Sequence, residues 1–197
     1  MKEHLSDSGF SLVELIVVIL IMGVLSGGSV VAVSTIYNAD AKRAARNLCS
    51  MMDVARTKAI ALADTDGDKK VQVALDIEVR DGSYYAIVYS TATKEGTTET
   101  VVIREQRLGN YKMTIAAGNV GHTGKDAYDN AEEDSKLTRL NADDDEAAVT
   151  KLTYVFCKHN GAIDPLKSAG SDIYVEGSEL EHIIIVESTG RCYLYEE

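Results

Sequence analysis

Carboxylates at alternate positions suit calcium, and Asp64, Asp66 and Asp68 have that spacing. An EF-hand loop also needs glycine at its sixth position and a bidentate acid at its twelfth, where this chain has Lys69 and Leu75. The three aspartates therefore read as acidic turn residues after a helix, with calcium binding as the alternative, and no metal site is assigned. His4, His122, His159 and His182 lie in unrelated contexts, without an HExxH or paired-cysteine zinc pattern. No GxSxG, P-loop or GxGxxG arrangement occurs, and scattered Ser, His and Asp do not define a triad. The expectation is no enzyme, no catalytic residue and no cofactor. The chemically conspicuous residue is instead Glu14, a carboxylate at the head of an apolar run. Unpaired at bilayer depth it would cost on the order of 3 kcal/mol, so it calls for a cationic partner.

The element that must position Glu14 is long. From Leu15 to Val33 there is no charge and 14 of 19 residues are apolar, and the uncharged stretch continues to Ala39. That length spans a bilayer. Three readings compete: a permanent transmembrane helix, a removable secretory signal, and a processed helix that keeps its apolar part. A signal should have a basic leader, but Lys2 is set against Glu3 and Asp7; Ala32 and Ser34 do supply small residues for a cut after Ser34. A cut after Gly9 would instead create a free amine on Phe10, four residues before Glu14.

Gly9-Phe10-Ser11-Leu12-Val13-Glu14 and the run behind it resemble the prepilin cleavage and methylation motif of type IV pilins and type II secretion pseudopilins. The resemblance is close over Gly9 to Leu20. It implies that a membrane prepilin peptidase cuts between Gly9 and Phe10 and methylates the Phe10 amine. It also implies that Glu14 meets the amino-terminal amine of a neighbouring subunit during filament assembly. Three departures stand out. The leader is less basic than is usual for the family. Lys42, Arg43 and Arg46 fall on the side that must face outward, against the positive-inside rule, although Asp40 and Asp53 dilute that cluster. Where the family often has a helix-breaking proline, this chain has Val31, and Gly23, Gly27 and Gly28 offer a weak point instead.

Beyond the apolar run, Ala41, Ala44, Leu48, Met51, Met52, Ala55, Ala59 and Leu62 recur at three- and four-residue spacing, which predicts an amphipathic helix against a core. The helix ends at Ala63, and the pattern then switches to period two. Val71 to Val79 reads as a half-buried strand, and Asp81-Gly82 as a hairpin turn into Tyr84 to Thr91. Thr100 to Glu105 and Tyr111 to Ala116 suggest a second pair. Later strands are expected at Leu152 to Cys157, Ile173 to Val175, His182 to Glu187 and Cys192 to Tyr195. Asn119 to Ala148 interrupts them with an acidic insertion: nine Asp or Glu between Asp126 and Glu146 against Lys136 and Arg139. It reads as a solvated loop with a short helix near Ala131 to Leu137. Phe156, Gly161, Ile183 to Val186 and Thr189-Gly190-Arg191 resemble the H-type minor pseudopilins, on short segments that many β heads could share.

The resulting fold class is α+β, a pilin-like lollipop: a long amino-terminal helix packed on an antiparallel β-sheet head. The divisions are a leader over 1–9, a transmembrane and filament-core helix over 10–39, an amphipathic helix over 40–63 and an extracytoplasmic head over 64–197, with the insertion at about 119–148. At 197 residues this is one buried domain plus an appendage. A net charge of -11 argues against non-specific nucleic-acid binding, and no nucleic-acid partner is expected. If the head lies outside the cytoplasm, Cys157 and Cys192, both on late strands, are the candidate disulfide, with Cys49 alone on the helix; two buried thiols are the alternative. Expected partners are prepilin peptidase, other pilin or pseudopilin subunits, an inner-membrane assembly platform and the lipid bilayer. Expected localisation is the cell membrane, single-pass, then a surface or periplasmic filament. The rival readings are a membrane-anchored binding module that never polymerises and a secreted enzyme with a removable signal.

Overall fold

The computed structural model describes residues 11–62, 70–94, 96–110, 113–120, 128–130, 137–140, 149–177 and 179–195, without the side chains of 27–38 and 70. Two compact units divide the chain, Met1–Ile36 and Tyr37–Glu197. Helix α1, Leu12–Ala61, provides all the described structure of the first unit and enters the second. It stays helical through Gly23, Gly27 and Gly28, so the glycines do not interrupt it.

Among the described residues of the second unit, nine strands form two antiparallel sheets, which makes the protein α+β. They are β1 Lys70–Arg80, β2 Ser83–Lys94, β3 Thr97–Asn110, β4 Thr114–Gly118, β5 Leu137–Leu140, β6 Lys151–Phe156, β7 Asp172–Glu176, β8 Leu180–Val186 and β9 Arg191–Tyr195. The first sheet runs β3-β2-β1-β6 and the second β5-β4-β7-β8-β9. The β1–β2 hairpin closes on two residues, Asp81 at φ 49° and Gly82 at φ 66°, with Arg80 opposite Ser83. Two successive left-handed residues match the right-handed twist of the flanking strands, which is why Asp-Gly turns a hairpin so well.

Alternation places Val73, Leu75 and Ile77 of β1, Tyr84, Ala86 and Val88 of β2, and Leu152, Tyr154 and Phe156 of β6 on one face of the first sheet. Ile115, Ala117, Ile173, Val175, Ile183 and Ile185 form the matching face of the second. Both faces join one core with Ala41, Ala44, Ala45, Leu48, Met51, Met52, Ala55 and Ala59 of α1. The alanines let backbones approach closely, while Leu48 and the two methionines fill volume. Each of these large side chains contributes roughly 1.5–3 kcal/mol by burial. Tyr84 donates from its hydroxyl to the Leu140 carbonyl at 3.1 Å, tying the first sheet to β5.

On the other face of the first sheet, Asp76 is buried, yet accepts hydrogen bonds from Lys151 Nζ at 3.0 Å, Thr153 Oγ1 at 2.7 Å and Tyr89 Oη at 3.3 Å. A buried carboxylate so satisfied is tolerable where a bare one would not be. Burial first, then Asp76, pushes the Tyr89 phenol up to about 12.

Two sequence expectations need correction. Tyr111 to Ala116 does not pair with Thr100 to Glu105. Of the former, 114–116 belong to β4, which lies between β5 and β7, while β3 is the edge strand of the other sheet. Burial explains it: β4 is buried along almost its whole length and so belongs inside a sheet, whereas β3 is exposed along most of its own. The insertion is also not simply a solvated loop. Its residues 128–130 form a helical turn, and Leu137, expected to end a helix, begins β5. Tyr128 packs with Tyr174 and Ala116 on the outer face of the second sheet. Residues 131–136, the rest of the expected helix, lie outside the described residues.

Candidate functional site

The start of α1 is the first candidate. The Ser11 carbonyl accepts from Glu14 N at 3.0 Å and Leu15 N at 3.2 Å, closing the first turn. Glu14 stands in that turn, where the aligned backbone dipoles favour negative charge. Gly9 and Phe10 lie outside the described residues. From residue 11 to 26 every side chain is exposed: Leu12 to 75%, Val24 to 70%, and Val18, the least exposed large apolar residue here, still to 45%. Consecutive helical residues point in all directions, so the apolar surface runs right round the helix rather than along one stripe. Such a helix is stable only when buried in a core, a bundle or lipid. Ser26 turns its hydroxyl back to the Met22 carbonyl at 2.6 Å and so places no unpaired donor on that surface. Among the described residues, no helix is long and apolar enough to cross a membrane. The uncharged run Leu15 to Ala39 is only partly among those residues, because the side chains of 27–38 are not.

The cysteines pair differently from expectation. Cys192 is bonded to Cys49, with Cα atoms 5.5 Å apart, and Cys157 is a free, half-buried thiol. Cys157 follows β6 in the first sheet whereas Cys192 is on β9 in the second, so closeness in sequence is not adjacency. On β9, Cys192 and Leu194 pack against the core shared with α1, which aims the sulfur at the helix. Cys49 is four residues after Ala45 and three before Met52, on the flank of the apolar seam. That spacing was the available signal.

Besides the Asp76 network, a second buried polar constellation among the described residues of the head was missed by sequence reasoning. His182 Nε2 lies 3.0 Å from Asp172 Oδ1, with both residues buried. Asp172 Oδ2 accepts from Val120 N at 3.1 Å and Ser171 Oγ at 3.0 Å. Tyr174 stacks on the imidazole at 4.4 Å between centroids, and Tyr195 approaches its other side at 5.8 Å. Burial, reinforced by Asp172, pushes the Tyr174 phenol up to about 12. Beside it, Tyr128 donates to Glu176 Oε2 at 2.9 Å, and Arg139 donates to the Tyr128 hydroxyl. Aromatic rings roof the His–Asp pair, and its hydrogen bonds fasten residue 120 to the sheet. This chemistry holds Val120, Tyr128 and Arg139 of the insertion against the second sheet.

The segments behind the H-type likeness do meet. A Cβ on Gly190, at φ 64°, would collide with the Gly161 carbonyl and touch the Phe156 ring, so only glycine fits there. Arg56 of α1 donates from Nε to the Thr189 carbonyl at 2.7 Å, joining this corner to the helix. Asp64, Asp66 and Asp68 lie outside the described residues. Among the described residues, no group of three or more His, Cys, Asp or Glu could hold a metal ion.

A helix start with a carboxylate in its first turn and bare apolar surface behind it coincides with a family match. Residues 5–30 match the model of the prokaryotic N-terminal methylation motif. The chain carries that motif, as type IV pilin and pseudopilin-type proteins do. The methylation motif takes in Gly9, Phe10 and Glu14 and ends inside α1, well before the head begins. No curated protein and no solved structure matches the chain.

Proposed function

We propose that this chain is a structural subunit, a pilin or minor pseudopilin, of a type IV pilus or type II secretion-like filament. The observation that carries the proposal is the methylation motif at the start of a helix exposing apolar side chains on every side. In this reading the precursor lies in the cell membrane with its head outside the cytoplasm. Prepilin peptidase cuts between Gly9 and Phe10 and methylates the new amine. An inner-membrane assembly platform then moves the subunit into a filament whose core is made of apolar helices. Lipid first covers the apolar surface and neighbouring helices cover it later, so it never meets water. Glu14 provides the one specific polar contact in that core by pairing with the methylated, still cationic Phe10 amine of the adjoining subunit. An isolated carboxylate there would be costly, so register and charge pairing become the same event.

The test is the amino-terminal mass of the mature protein from its native membrane. Phe10, carrying a methyl group, is expected. An intact Met1 terminus would point to the membrane-anchored binding module instead, and a terminus near Thr35 to a secreted product.

A further inference from the structure

The filament reading leaves the outward basic cluster at Lys42, Arg43 and Arg46 without a use, and the structure puts one of its members into a cleft. A cavity of about 310 Å³ is lined by Asp40, Arg43, Arg107, Leu108, Gly109 and Asn110, where α1 meets the end of β3. That is about ten times the volume one water occupies in the liquid, enough for a small polar headgroup. Arg107 is fixed by donating from Nη2 to Ser83 Oγ at 3.0 Å, so its guanidinium is already ordered. Among the described residues, no carboxylate lies within ion-pair distance of either Arg43 or Arg107, although Asp40 shares their cleft. The cleft thus offers two planar cationic donors and one separate anionic acceptor.

Chain connectivity gives its depth. Asp40 is the first charge after the uncharged run Leu15 to Ala39. At about 1.5 Å per helical residue the run Leu15 to Ala39 covers roughly 38 Å, more than the ~30 Å of hydrocarbon in a bilayer, so the charges that begin at Asp40 and include Arg43 come within reach of the headgroup layer. Resting on the membrane reading above, we propose that the cleft binds the headgroup of phosphatidylethanolamine. The phosphate diester sits between the two guanidiniums, which match phosphate oxygens with paired donors. The primary ammonium donates to Asp40. A phosphatidylglycerol headgroup would offer Asp40 neutral hydroxyls in place of a cation, and the quaternary ammonium of phosphatidylcholine has no N–H to donate. Of these three headgroups, only phosphoethanolamine brings Asp40 both a positive charge and N–H donors while giving the described arginines of the lining a phosphate.

The experiment uses the full chain in nanodiscs containing equal phosphatidylethanolamine, phosphatidylglycerol and phosphatidylcholine, with retained lipid identified by native mass spectrometry. Phosphatidylethanolamine should be enriched on the unaltered chain. Arg43→Gln and Arg107→Gln should each lower that enrichment by about tenfold, the equivalent of one lost charge-assisted contact. Asp40→Asn should reverse the preference towards phosphatidylglycerol. Arg46→Gln, which removes a nearby charge outside the lining, should change nothing. Equal enrichment in the Arg43→Gln, Arg107→Gln double variant, or a phosphatidylglycerol preference in the unaltered chain, would overturn the assignment. Failure of the chain to float with phospholipid vesicles would overturn the membrane reading along with it; flotation without headgroup preference overturns this assignment alone.

Discussion

Glu14 is the residue whose environment decides most, because a carboxylate followed by bare apolar surface has few ways to be satisfied away from water. Glu14→Ala should leave cleavage after Gly9 largely intact, since it makes the segment cheaper to hold in lipid, and should abolish or sharply reduce incorporation into filaments. Incorporation at the unaltered level in cells lacking an unaltered copy would remove Glu14 from the assembly step. A bulky replacement of Gly9 should do the reverse and leave uncleaved precursor in the membrane, readable by gel mobility. The phenols make a second residue-scale prediction. Tyr89 and Tyr174 are raised from near 10 to about 12 in the folded protein, so between those values the unfolded chain has lost protons that the folded one keeps. Folding then weakens with rising pH: the contribution is whole below pH 10 and is lost as pH rises through 12. Thermal midpoints measured from pH 9 to 12 should fall along that window, and less steeply in Tyr174→Phe. A flat profile would contradict the raised values.

At the scale of elements, the Cys49–Cys192 bridge fastens the last strand to the helix across 143 residues of sequence. The chain-entropy model puts closure of such a loop at about 5 kcal/mol, an upper figure given how often real bridges give less. Cys192→Ser should therefore lower the urea midpoint substantially, whereas Cys157→Ser should change it little. Thiol labelling of unfolded, unreduced protein should find one reactive group. Which elements could be read from sequence follows a physical line. The β1–β2 hairpin was legible because Asp81-Gly82 specifies a turn locally, and the helix seam because 3.6-residue spacing reports a buried face directly. Strand partners were not, since period-two alternation says that a strand has two faces and nothing about its neighbours. Leu137 to Leu140 escaped notice as β5 because four residues in an acidic segment carry too short a pattern. The Asp172–His182 pair depends on two strands meeting in register, and no local signal encodes that.

For the whole molecule, the division at Ile36 and Tyr37 separates a part that exposes apolar surface from one that buries it. Residues 41–59 of α1 belong energetically to the second part, since their apolar seam lies in the core beside both sheets. A chain beginning at Asp40 should accordingly be a soluble, largely monomeric, β-rich protein with a cooperative unfolding transition. A chain beginning at Thr65 loses Leu48, Met51 and Met52 from the core, at roughly 1.5–3 kcal/mol each, along with the helix that covers both sheets. Domains of this size have only about 5–15 kcal/mol of net stability, so that loss is comparable with the whole. It also strips Cys192 of its disulfide partner and the Thr189 carbonyl of its Arg56 donor. The shorter chain should aggregate or unfold without a sharp transition. Urea titrations of the two chains followed by circular dichroism decide the matter: equal midpoints and equal slopes would mean that the sheets hold together unaided and that the helix seam is packed on the head without completing its core.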